Sequence, residues 1–201
     1  MKIAIDPGHG GEDSGATYGG LDESKLVLDI ALRARELLEP HVEVMMTRES
    51  DVFIPLMDRC KMANEAEVSA YVSLHLNAAS SSSVKGWETF SCLGTTLGDI
   101  LAECLAARHA EAYPTQKARG VKEASLYVLR HTHAPAALHE FCFLSNEEEA
   151  IWASHVETRQ AFAQSLSLGI LDYCGISIDQ EAPELTLEQR VERIERELNL
   201  V

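Results

Sequence analysis

Apolar and polar positions along the chain switch between two periods. Residues 2–6, KIAID, form a short apolar run that stops at turn residues, which predicts a strand. In 23–39, ESKLVLDIALRARELLE, the positions Leu26, Ile30, Arg33 and Leu37 follow helical spacing. Leu28, Ala31 and Leu38 widen the apolar stripe, which predicts an amphipathic helix. Residues 41–48 alternate as a strand does, and 55–66 read as a helix. Residues 68–78, VSAYVSLHLNA, are a strongly apolar strand that ends at His75 and Asn77. After the serine loop 80–83, a strand is predicted at 86–93 and a helix at 97–113, stopped by Pro114. Strands are predicted at 126–132 and 136–144, then one or two helices over 146–175, ended by Gly175.

Strand and helix alternate from end to end. The expected fold is therefore α/β: a single domain over 1–175 with a twisted, largely parallel sheet flanked by helices on both faces. Working residues in such folds gather at strand ends and in the following loops. The tail differs. Residues 176–185 read as a linker, and 186–201 as a short amphipathic helix. Its apolar positions Leu187, Val191, Ile194, Leu198 and Val201 step by four and three, a heptad stripe. A helix this short is marginal alone. It is expected either to dock on its own domain or to pair with a second copy as a homodimer.

Charge narrows the partners. Seventeen Lys and Arg against 32 Asp and Glu give a net charge of −15. That balance disfavours nucleic acid, which needs cations on its phosphates, and anionic membrane surfaces. A charged substrate must then be met by a local basic pocket. No apolar run is long enough for membrane insertion. The five cysteines are widely spaced with no Cys-x-x-Cys, so they read as free thiols in a chain that folds in a reducing place.

Candidate chemistry lies in histidines and carboxylates at predicted element ends. His9 sits in the glycine-rich turn of IAIDPGHGG, where missing side chains leave room for a metal and a substrate. His75 ends an interior strand, and Glu23 opens a helix. Two histidines and a carboxylate, with a fourth position open, are the donor set of a catalytic zinc. Their wide separation makes no local motif, and Glu23 read alone is an acid at the positive end of a helix. His131 and His133 form His-x-His, a plausible ligand pair on a strand, although Pro135 follows at once.

Several blocks in fixed order resemble one family. IAIDPGHGGEDSGA, GLDESKLVLDIA, VMMTRESDVFIPLMDRCKMAN, AYVSLHLNA, GWETF and YVLRHTHAPAALHEFCFLSN are similar to the zinc-dependent N-acetylmuramoyl-L-alanine amidases of the Amidase_3 type. The resemblance runs from residue 2 to about 174. It implies that His9, Glu23 and His75 bind one Zn2+ and that Glu140 is the catalytic acid/base. The implied reaction is hydrolysis of the amide between N-acetylmuramic acid and L-alanine in peptidoglycan. Arg48 and Asn77 match positions near the cleft. Arg48 is expected to hold a substrate carboxylate or to form a buried ion pair with Asp51 or Asp58. His133 is a candidate substrate contact. Two positions depart from the family pattern: Cys142 stands where glycine is common, and His139 where an apolar residue is usual. On a strand, His139 should point away from Glu140. A wall-binding module without catalysis and a peptidase cutting within the stem peptide are the alternatives. The N-terminus does not read as a signal peptide. The expectation is cytoplasmic synthesis with release at lysis, or a secreted protein lacking its leader.

Overall fold

The structure is a computed structural model that describes residues 1–178. Its elements are β1 (Lys2–Pro7), β2 (Thr17–Tyr18), β3 (Leu21–Asp22), α1 (Glu23–Leu38), β4 (Glu43–Met46), α2 (Leu56–Glu65), β5 (Ala70–Asn77) and β6 (Trp87–Ser91). They continue with α3 (Thr96–Ala112), β7 (Ala118–Glu123), α4 (Tyr127–His131), β8 (Ala136–Phe143), α5 (Glu147–Ser154) and α6 (Val156–Tyr173). The predicted helix at 186–201, with its docking or pairing, lies outside the described residues, as does most of the predicted linker.

Six strands form one sheet in the order β4-β1-β5-β8-β6-β7. β4, β1, β5 and β8 are mutually parallel, while β6 pairs antiparallel with β8 and parallel with β7. The sheet is thus mostly parallel but mixed. The reversal follows from the chain: β5 and β6 are joined by the loop 78–86, with no crossover helix to bring the strand back parallel.

Strand pleating divides the core in two. Ile3, Ile5, Val72, Leu74, Leu76, Ala137 and Phe141 face one side, where α1 and α6 close over them through Leu26, Ile30, Phe162 and Ile170. Ala4, Tyr71, Ala136 and Leu138 face the other, covered by α2 and α4 through Cys60, Ala63, Val128 and Leu129. Each fully buried Leu or Ile contributes roughly 1.5–3 kcal/mol. The second face is the thinner one, since α2 and α4 cover only part of it, and the polar ends of β5, β6 and β8 remain open there.

One local reading is corrected, one strand was not foreseen, and one open reading is resolved. Residues 126–132, expected as a strand, contain the short helix α4. Val128 and Leu129 are both buried against α2 and the sheet, an adjacent pair that a one-turn helix can bury. Residues 118–123, ARGVKE, form the edge strand β7. Its charges hid it, yet charged residues are how an exposed sheet edge avoids further pairing. The 146–175 segment is two helices, broken at His155, whose ψ of 135° is extended.

Candidate metal centre

The loop after β1 carries the first donor. His9 adopts φ 59°, a left-handed conformation that costs a non-glycine residue about 1–2 kcal/mol. The strain is held by surrounding bonds. Gly10 and Asp13 pair through both backbone groups at 2.8 and 3.1 Å, and the Arg59 guanidinium donates to the His9 carbonyl at 2.6 Å. Arg59 also donates to Asp6 at 2.8 Å, a buried ion pair beneath the loop. The hairpin β2–β3 then brings Glu23, the first residue of α1, back beside His9.

Glu23 is the hub. Its Oε1 lies 2.9 Å from His75 Nδ1 and 3.2 Å from His9 Nε2, and accepts from the Leu76 amide at 3.0 Å. Its Oε2 accepts from the Ala16 amide at 2.8 Å. One donor atom from each of His9, Glu23 and His75 lies within 4.8 Å of the others. Asp13 Oδ2 sits 2.9 Å from His9 Nδ1, on the ring nitrogen opposite the cluster. A carboxylate there fixes the tautomer and raises the basicity of a ligating imidazole. Glycines make the approach possible. A Cβ on Gly8 would stand 2.3 Å from the His75 ring, and one on Gly15 would stand 2.6 Å from both Glu23 and His9.

Electrostatics follow from this packing. Burial opposes charge on His9, but the hydrogen bonds and charges of Glu23 and Asp13 outweigh it and lift its pKa to about 9. Burial also opposes ionisation of Glu23, yet the two imidazoles hold its carboxyl well below the usual range. His75 is raised by Glu23 against its own burial. Protons therefore hold this cluster together in the absence of a cation, and a divalent ion would displace them. The donor set suits zinc: two imidazoles and a carboxylate, converging from three elements, with an oriented outer partner.

Glu140 stands in register with His75 across β5–β8, and Glu88 with Glu140 across β6–β8. Glu88, Glu140 and His75 thus form one row on the thinly covered face. Glu140 Oε2 is buried and has no hydrogen-bond partner among the described residues. Burial pushes its pKa up to about 8, with the nearby carboxylates Glu23 and Glu88 adding to the rise and His75 opposing it. Glu88 is itself saturated. It accepts from Asn77 at 2.6 Å and Arg119 at 2.9 Å, and pairs closely with Lys122.

The family model for N-acetylmuramoyl-L-alanine amidase matches residues 3–172, nearly all of the described chain. The chain belongs to that family. The endolysin of Bacillus phage SPP1 is 38% identical over 155 residues, covering 74% of this chain and 56% of that protein. The amidase LytC of Bacillus subtilis is 34% identical over 174 residues, covering 85% of this chain and 35% of that one. The chain therefore spans about a third to a half of these two relatives' length. Among solved structures, the amidase AmiC2 of Nostoc punctiforme superposes with a TM-score of 0.83 at 34% identity. It covers 87% of this chain and 97% of that one. The catalytic domain of CwlV from Paenibacillus polymyxa gives 0.83 at 30%, covering 88% and 99%.

Not every site residue expected of this amidase-family chain lies at the cluster. Arg48 is buried, and its fork donates to four backbone carbonyls, those of Pro7, Gly8, Ser24 and Ser50, at 2.7–3.1 Å. It pairs with neither Asp51 nor Asp58 and has no face toward a substrate; it staples the His9 loop to α1. Asn77 gives its amide to Glu88, so it braces the wall behind Glu140. His133 lies on a separate groove with Met57, Lys61 and His131, away from His9 and His75. His131 stacks on Tyr127, so the His-x-His pair makes no ligand set with the cluster. His139 projects to the opposite face from Glu140, into a ring cluster with His109 and Phe141. Asp13, Glu88 and Arg59 went unnoticed in the sequence. Asp13, four residues after His9, was the most legible of them.

Proposed function

We propose that this chain hydrolyses the amide bond between the lactyl group of N-acetylmuramic acid and L-alanine in peptidoglycan. In this reading a single zinc ion is held by His9, Glu23 and His75. The observation that carries it is the convergence of those three donors beside Glu140, whose oxygen is buried and unpartnered. The bound ion supplies Lewis-acid polarisation of the scissile carbonyl and makes water more acidic.

The chain's own residues do the rest. Glu140 takes a proton from the attacking water and returns it to the departing alanine nitrogen. An acid/base works best when its pKa lies near the operating pH, and burial brings Glu140 there. A cation beside it favours the carboxylate form and prepares it to act as a base first. Asp13 orients His9, while Asn77, Arg119 and Lys122 fix Glu88 so that the wall behind Glu140 does not collapse onto it. Similarity to an endolysin and to a bacterial amidase supports action at the cell wall.

The test is a digest of purified walls with and without a chelator. Release of new free amino groups that stops on chelation and returns with zinc supports the reading. Mass analysis should find glycan free of peptide. Binding to walls without release, or fragments cut within the stem peptide, would replace it.

A further inference from the structure

The cavity beside His9 and His75 has a volume of about 450 Å³, within the range of small-molecule sites. It lies between the 53–56 segment and α4, and its walls are mostly apolar: Phe53, Ile54, Leu56, Leu126, Tyr127 and Leu138. Phe53 and Tyr127 are 44% and 39% exposed, Tyr127 with one ring face stacked on His131, and both border a site that opens onto both candidate ligands. We propose that this cavity receives the sugar side of the scissile bond, with Phe53 and Tyr127 setting the preference for a glycan-linked substrate. The inference rests on the amidase reading and gives the substrate a direction across the site.

Charge separates the two halves of the substrate. Beyond the two histidines, the basic side chain lining the cavity is Arg59, and its donors are committed to Asp6 and to the carbonyls of Ile54, Pro7 and His9. Asp13 presents a carboxylate to the same space. Away from the His9–His75 cluster, a peptide carboxylate finds no available cation on these walls. A muramoyl sugar whose lactyl group is bound as an amide is neutral. Its ring has an apolar C–H face that suits the electron-rich face of an aromatic ring, and its hydroxyls can stay in water at the mouth.

The opposite flank has the reverse character. Arg119 and Lys122, on β7, converge on the single carboxylate of Glu88, and Arg119 uses only Nε for that contact. Two cations meet the one carboxylate of Glu88, so this flank offers guanidinium and ammonium donors in a chain whose net charge is −15. The geometry therefore places the glycan toward Phe53 and Tyr127, and the stem peptide toward β7.

The experiment compares two soluble substrates: an N-acetylglucosaminyl-N-acetylmuramoyl peptide, and a lactoyl peptide of the same sequence without sugar. In Phe53→Ala and Tyr127→Ala, the ratio of kcat/KM for the first over the second should fall about tenfold, mainly through KM. An unchanged ratio overturns the assignment, whether the individual rates hold or drop together. Both rings are exposed, so melting temperatures should stay near wild type. A second measurement needs no turnover: titration of the disaccharide with its lactyl carboxyl capped as an N-methylamide into wild type and both variants. Weaker binding in the variants supports the subsite, and equal or absent binding throughout overturns it. A wild-type protein that binds the disaccharide but cleaves neither substrate would sink the amidase reading alone.

Discussion

The protein contains two pairs of histidines at nearly the same separation. The rings of His9 and His75 are 5.0 Å apart, and those of His109 and His139 are 4.9 Å apart. Their electrostatic fates are opposite. His9 is lifted to about 9 because Glu23 and Asp13 overcome its burial. His109 is lowered to about 4 because burial dominates and only the Gln116 amide opposes it. His139 is pushed well below its ordinary value by burial, then by His109. Proximity alone does not set the charge of two imidazoles; here the Glu23 carboxylate shared by His9 and His75 does. The second pair bonds internally, His139 Nε2 to His109 Nδ1 at 3.1 Å, and is capped by Thr89 and Gln116, so its nitrogens are spent. β8 serves both pairs, presenting Glu140 to one face and His139 to the other.

The strongest way to break the comparison is to remove a member of the first pair. His75→Ala should abolish both zinc binding and wall hydrolysis. Glu140→Ala should keep stoichiometric zinc while turnover falls about 10²–10⁴-fold, the usual contribution of a positioned acid/base. Metal analysis beside the wall digest reads both. If zinc and hydrolysis declined together in Glu140→Ala, the residue would be a ligand instead.

Asp13→Asn probes the outer carboxylate that the second pair lacks. It preserves the size of the side chain, and zinc affinity should drop about 10–100-fold. Competition with a chromogenic chelator measures this, and an affinity equal to wild type would show that His9 needs no such partner. The matching change in the core, His139→Ala, should leave zinc affinity alone. It should lower stability by about 1–3 kcal/mol, because Thr89 and His109 lose their buried partner. Urea denaturation of the variant tests that cost.

pH separates the pairs with opposite signs. His109 and His139 have folded pKa values below the ordinary 6.5. Their contribution is complete above 6.5. For His109 it is lost as pH falls toward about 4, and His139 acts in the same direction, because the unfolded chain takes up protons that the folded chain refuses. In the metal-free protein, His9 behaves in reverse. Its contribution is present below 6.5 and disappears as pH rises through about 9. Each proton changes stability by at most about 1.4 kcal/mol per pH unit. Zinc, which competes with those protons, should bind more tightly at pH 8 than at pH 6. Calorimetry at the two pH values would show no difference if the cluster held no displaceable protons.

Much of this was legible in the chain. His9, Glu23, His75 and Glu140 stand in ordered blocks, and the structure brings donor atoms of the first three within 4.8 Å of one another, with Glu140 in register beside His75. Arg48 stays open in sequence between a substrate contact and a buried ion pair, because a guanidinium near a cleft looks the same whether it faces substrate or backbone. Here four carbonyls from three segments claim it. β7 was missed because its charged residues carry no strand signal without the neighbouring edge of β6.

The sequence alone determined the alternation of strands and helices, the glycines that let the donors approach, and the kinds of donor available. Those properties reside in local periodicity, backbone freedom and side-chain chemistry. Only the tertiary structure decided which polar groups are consumed internally, as with Arg48 and Asn77, and which stay open. It also decided why one histidine pair holds protons and the other sheds them. Both depend on burial and on charges delivered from distant segments, and no local stretch of sequence carries that information.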